Sequence, residues 1–297
     1  MPTMHAVLAL AHAGAPPAPH ELWRAWSHEP AVVLSLAAGA ALHARGVDAL
    51  RRHARSTRGL PPWRVHCFAA GMLTLAIALL SPLHALGEAL FAGHMLQHLL
   101  LTMVAAPLLV LGDPRTAWLW GVGRDARRRL AGAWRRLPRV RAAWRDATRV
   151  LTHAVTAWTV QAAVLVAWHL PPLYERAVRD DVVHALEHAT LLLSAFVAWS
   201  VLFSPRPRTR LGAGTALLFL FTTSLVTTLL GAAITLSTRP WYRVHARSAL
   251  AWGTTALEDQ QLAGLVMWVP ASAVHLAAAL VLLHALLVRR PLAPARR

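Results

Sequence analysis

Seven stretches of this chain are apolar over lengths close to a bilayer crossing, and that recurrence constrains the fold more than any single motif. About 20 apolar residues in a helix span the hydrocarbon core, where no water satisfies stray backbone groups, so such a chain folds as a bundle of helices. The spans are expected at residues 27–44, 63–81, 90–112, 150–171, 182–203, 211–235 and 260–288. The first is the shortest. Its uninterrupted apolar core runs only from Ala31 to Ala44, short enough for a surface or re-entrant segment, with Trp23 and Trp26 as interfacial anchors. Composition agrees with a membrane class, since 56% of 297 residues are hydrophobic, 14% are charged and thirteen are tryptophan. The expected fold class is all-α: a polytopic membrane protein with a bundle of seven transmembrane helices. Residues 1–26 form an outer segment, 27–289 the membrane domain and 290–297 a cytoplasmic tail.

All thirty basic side chains are arginine, and they fall very unevenly between the spans. Twenty-four lie on one side, eleven of them in the loop 113–149, and six lie on the other, namely Arg24, Arg176, Arg179, Arg239, Arg243 and Arg247. The positive-inside rule then places the N-terminus outside and the C-terminus in the cytoplasm. Four of the thirteen acids, Asp48, Asp113, Asp125 and Asp146, join the arginine-rich side, leaving it at +20 against −3 outside. Arginines in short loops set topology and meet anionic lipid headgroups, so the charge argues for a membrane surface and against nucleic acid as a partner. Within the basic loop, Leu130, Trp134, Leu137 and Trp144 recur at near-helical spacing, as in a helix on the inner leaflet interrupted by Pro138; a disordered basic loop is the alternative. The opening "MPTMHAVLALAHAGA" is apolar and ends in small residues but lacks the basic start of a secretory signal, which leaves cleavage open. His5, His12, His20 and His28 in this outer segment read as solvated residues, with a weak metal-collecting tail as the other reading. Cys67 is the single cysteine, which excludes an intramolecular disulfide and paired-thiolate metal sites.

Sorted by depth, the histidines carry the strongest functional signal. "GHMLQHLLLT" puts His94 and His98 four residues apart at the outer start of the third span, so the rings share one helix face. "WHLPPLYE" closes the fourth span at the same face with His169. "DDVVHALEHATLL" opens the fifth with His184 and His188, again four apart, and Glu187 beside them. The seventh starts there with Glu258, Asp259, Gln260 and Gln261. Polar groups in spans are costly and mark pathways or sites, so two HxxxH pairs at one depth point to a metal. Met95 neighbours His94 but points about 100° away around the helix, while Met267 lies before the kinking Pro270 and is a possible extra ligand. A nearby thioether would shift the preference of imidazole ligands toward Cu(I), with zinc as the alternative. His43, His53, His66, His153, His275 and His284 read as interface or packing residues, and His84 and His245 as loop residues of either kind.

"SPLHALGEALFAGHMLQHLLLTMVAAPLLVLGDP", "WHLPPLYERAVRDDVVHALEHATLLLSAFVAWSVLF" and "DQQLAGLVMWVPAS" resemble the three signature regions of the CtaG family, seven-span assembly factors of caa-type haem–copper cytochrome c oxidases. That family is distinct from the single-span copper chaperone of the same name. The resemblance runs from about Trp26 to Val288 and departs at His84, where an acid often follows "SPL", and at "AAP" 105–107, where "APP" is common. It implies a non-enzymatic role in oxidase maturation at the bacterial inner membrane, with copper delivered at the outer face, and oxidase subunits and a copper donor protein as partners. The matching positions are His94, Gln97, His98, Trp168, His169, His184, His188, Asp259, Gln260 and Gln261. The expected ligands are His94, His98, His184 and His188, with His169 as a fifth or as a residue on the way in. Asp259 or Gln261 would orient an imidazole through its second nitrogen. Two other classes remain open: a seven-span zinc hydrolase with Glu187 or Asp259 as general base, and a metal-free scaffold whose histidines only pack.

Overall fold

The computed structural model describes residues 17–53, 60–204 and 210–288; the readings that fall on the first sixteen residues, on Arg55, Arg58, Arg206 and Arg208, and on the tail from residue 289 lie outside the described residues. Every regular element among the described residues is a helix. Prolines set many of the starts, because a residue without an N–H costs nothing in the first turn. In order these are α1 (Pro30–His53), α2 (Pro62–Leu80), α3 (Pro82–Ala89), α4 (Phe91–Gly112), α5 (Pro114–Gly121), α6 (Arg124–Arg135), α7 (Pro138–Leu151), α8 (Ala154–Trp168), α9 (Pro171–Arg179), α10 (Asp181–Phe203), α11 (Ala213–Thr235), α12 (Ala246–Ala251) and α13 (Ala256–Val288).

Six of these, α1, α2, α4, α10, α11 and α13, are long and apolar enough to cross a bilayer. The count rises to seven if α7 and α8 are one broken span, since they pass together but bend by 76°. The fourth span, expected at 150–171, is therefore shorter than read. Pro171 and Pro172 end α8 at Trp168, and the arginine-bearing α7 turns away before Ala154, so α8 itself has 15 residues, about 22 Å of helix. The first span is longer than its apolar core and continues to His53, with Asp48 and Arg52 paired on its exposed side. The basic loop is helical. It forms α6 and α7, broken at Pro138 as expected, with no buried residue in either and with Leu130, Trp134, Leu137 and Trp144 all exposed.

The two helices that carry the HxxxH pairs are the most enclosed. In both α4 and α10, 56% of the apolar window is buried, against 28% or less in the other four spans. α4 packs on α2, α3, α10 and α13. At its middle, Leu100–Ala105 relaxes into a π turn, because Pro107 has no N–H to offer the preceding turn. The Thr102 carbonyl left over accepts instead from the Trp199 indole at 2.8 Å, which ties α4 to α10 just below the histidines. α1 is held mainly at its arginine-rich end. There Gly46 lies against the Ala117 backbone of α5 with no room for a Cβ, and the Trp118 indole donates to the Gly39 carbonyl at 3.0 Å.

Candidate metal centre

His94 and His98 sit in the first two turns of α4, and His184, Glu187 and His188 in the first two turns of α10. The starts of both helices are fixed by carboxylates. Asp180 caps α10 by accepting from the Val182 and Val183 N–H groups at 3.1 and 3.2 Å. Asp259, at the start of α13, accepts from the Phe91 and Ala92 N–H groups at 2.8 and 3.0 Å and so caps α4 from another helix. These anchors set the axial register of the two histidine faces.

The faces meet at Glu187. One donor atom each from His94, His184, Glu187 and His188 lies within 4.8 Å of the other three, close enough for three imidazoles and one carboxylate to hold one metal ion. Glu187 Oε2 stands 3.3 Å from His94 Nε2 and Oε1 stands 3.6 Å from His98 Nε2. Glu187 is 0% exposed and neither of its oxygens has a hydrogen-bond partner. The same holds for His94 Nε2, His188 Nε2 and both nitrogens of His98. Buried polar atoms are almost always satisfied, so these atoms without hydrogen-bond partners around Glu187 single the cluster out as a candidate site.

Aromatic and polar groups from the loops close one side. Tyr174 of α9 packs edge-on against His94 at 5.1 Å, and Phe91 and Tyr242 stack around it. The Tyr242 hydroxyl donates to the His169 carbonyl at 2.6 Å and that of Tyr174 to His245 Nε2 at 2.8 Å. His245 can accept because burial holds its pKa down to about 3, leaving the ring neutral. The other side opens through His84. Gln97, one of the positions matched by the family resemblance, orients this ring by donating from Nε2 to His84 Nδ1 at 3.3 Å and to the Ala78 carbonyl at 2.8 Å. His84 stacks on His184 at 5.7 Å and lines a cavity of about 600 Å³, whose wall also carries Glu21, His28, Glu29 and Glu88.

Four of the expected positions therefore converge, and the rest do other work. His169 is apart from the cluster, 5.9 Å from His98 by ring centroids, with Nε2 turned to the Met95 sulfur. The expectation that Asp259 or Gln261 orients an imidazole fails. Asp259 is spent on the α4 cap, and Gln261 donates to the Ser237 carbonyl at 3.1 Å. Gln260 accepts from the Trp241 N–H at 2.6 Å and donates to the carbonyls of Ile234 and Arg239. The loop 236–255 lacks regular structure over most of its length and offers these backbone groups, which no local sequence pattern announces. Glu187 as a member of the cluster was the available signal that the histidine spacing eclipsed, since it stands three residues from His184 on the same face. His43 stacks on Phe68 at 3.8 Å and His275 on Trp199 at 6.0 Å.

Fold and site define a class: a polytopic helical membrane protein with a buried histidine–carboxylate cluster near one end of its bundle. The model of one family, the cytochrome c oxidase caa3 assembly factor family, matches residues 41–289, most of the chain, and the protein belongs to that family. It is also similar to uncharacterized proteins of Mycobacterium bovis and Mycobacterium tuberculosis, each 29% identical over 255 residues. The match takes in 83% of this chain but only 36% of either relative, so the chain spans about a third of their length. No solved structure matches it.

Proposed function

We propose that this protein binds copper in the cluster of His94, His184, Glu187 and His188, flanked by His98, and yields it to a caa3-type cytochrome c oxidase during assembly. The observation that carries the reading is a fully buried carboxylate without hydrogen-bond partners, set among imidazole nitrogens of His94, His98 and His188 that also lack them. A metal-free scaffold would leave that cost uncompensated. Imidazole is a ligand that suits copper, and an oxidase assembly family gives copper a destination. A single carboxylate balances the charge of one Cu(I), whereas zinc would leave a net positive charge in an apolar surround. The zinc-hydrolase reading lacks a free general base. Glu187 lies among the ligand atoms and Asp259 is held by two backbone N–H groups.

The role is thus non-catalytic, exercised in a bacterial inner membrane with the histidine end outward. The arginine-rich end meets anionic lipid, and oxidase subunits and a copper donor protein approach from the outer face. Copper arriving there meets the cavity lined by Glu21, Glu29 and Glu88, then His84 and His184 in turn. His84→Ala is accordingly expected to slow copper uptake several-fold in stopped-flow loading while leaving the final copper content unchanged; a lower final content would make His84 a ligand.

The test of the reading itself is metal content by mass spectrometry on the detergent-purified full chain, loaded separately with Cu(I) and zinc. Wild type is expected to retain copper in preference to zinc, and His184→Ala/His188→Ala to lose the equivalent held by the cluster with its helix content intact. Preference for zinc, or equal copper in the folded variant, would overturn it.

A further inference from the structure

We infer that the protein holds a second, softer cation site one turn deeper in the bundle, built from Met95, His169 and Met267 and reached through His98. It rests on copper being the cargo, as above, but on different side chains.

The argument begins with a contact that the bare protein does not explain. His169 Nδ1 lies 2.7 Å from the Leu165 carbonyl, and a carbonyl only accepts, so Nδ1 carries the proton. In the neutral ring Nε2 then presents a lone pair. It faces the Met95 sulfur at 3.2 Å, and a thioether also has only lone pairs to present. Two acceptors thus confront each other in the interior, where His169 and Met95 are 3% and 1% exposed. A soft cation bound by both would turn this contact into a paired imidazole–thioether ligand set, and those donors favour Cu(I).

There is space and a further donor. A cavity of about 30 Å³ lies at this point, lined by Met95, His98, His169 and Met267 and otherwise mainly by apolar and threonine side chains. That volume holds one ion or one water. His98 is a common neighbour, with Nε2 3.6 Å from Glu187 Oε1 and its ring 5.3 Å from that of His188, while it also borders the small cavity. Its two nitrogens are buried without hydrogen-bond partners, so one can serve either site. The upper cluster offers imidazole and carboxylate; the lower offers imidazole and thioether. The Asp259 cap and the Tyr242 hydroxyl on the His169 backbone hold the two donor helices in place around it.

Copper X-ray absorption on the Cu(I)-loaded full chain tests this directly. Wild type is expected to bind two equivalents and to show sulfur scattering beside nitrogen and oxygen. Met95→Leu/Met267→Leu, which nearly preserves side-chain volume, should lose the sulfur shell and one equivalent. His184→Ala/His188→Ala should keep one equivalent with the sulfur shell enriched. Protein grown with selenomethionine needs no substitution and should show copper–selenium scattering. Copper bound without any sulfur or selenium neighbour would overturn the second site while leaving the upper cluster standing. Sulfur-bound copper unaffected by His184→Ala/His188→Ala at full stoichiometry would overturn the cluster and keep the deeper site.

Discussion

Glu187→Gln protein is expected to bind copper at the cluster at least about 100-fold more weakly, while its metal-free form unfolds no earlier than wild type. The two halves of this result have opposite physical origins. In the loaded protein the substitution exchanges an anionic ligand for a neutral amide that coordinates poorly, a loss beyond the 10- to 100-fold typical of losing even an outer partner. In the metal-free protein the same change replaces a buried carboxylate whose oxygens have no hydrogen-bond partner by a neutral amide of the same shape, which removes the cost of a buried charge. At a copper concentration 100 times the wild-type dissociation constant, binding stabilises by about 2.7 kcal/mol; a 100-fold weaker site retains about 0.4 kcal/mol. Thermal unfolding in detergent, with and without copper, measures both terms. Full copper-dependent stabilisation in the variant would remove Glu187 from the ligand set, and early unfolding of the metal-free variant would make it a structural ion-pair partner of His94.

Asp259→Ala should be among the most destabilising single changes near the site although Asp259 contributes no ligand. Its carboxylate satisfies the Phe91 and Ala92 N–H groups, which would otherwise be buried orphans at the start of α4. Each orphaned N–H costs roughly 1–3 kcal/mol, so the loss should be about 3 kcal/mol or more. Asp259→Asn keeps an acceptor oxygen and is expected to be milder. Because the cap positions the turn that carries His94, Asp259→Ala should also weaken copper binding, whereas folded Asp259→Asn should bind near-wild-type copper. Loss of copper from the folded Asp259→Asn variant would return Asp259 to the metal. Chemical unfolding monitored by helix content, paired with metal analysis, separates these outcomes.

Much of this was legible in the chain. Apolar runs fix where helices cross, and five of the expected spans reappear within about four residues of their expected ends. Pro138 breaks the basic loop helix where the sequence says it must. The HxxxH spacing places His94 with His98 and His184 with His188 on common faces, and the bundle brings the two faces together. The misreadings cluster where a side chain is satisfied by something remote. Asp259 and Gln261 looked like outer partners of imidazoles, yet Gln261, with Gln260, holds the backbone of the loop 236–255, and Asp259 holds a helix 167 and 168 residues away.

Local periodicity by itself determined which residues lie on one helix face and at what depth, because a helix turns 100° per residue whatever surrounds it. That is why Met95 could be read as pointing away from the His94 face. Only the tertiary structure decided what stands in the direction it points: the end of α8, with His169 Nε2 at 3.2 Å. The same holds for Glu187, whose face was readable but whose two imidazole neighbours belong to another helix. Which helices adjoin, and how each is rotated about its axis, depends on non-local packing and on cross-helix ties such as Trp199 to Thr102, and no stretch of sequence contains both partners.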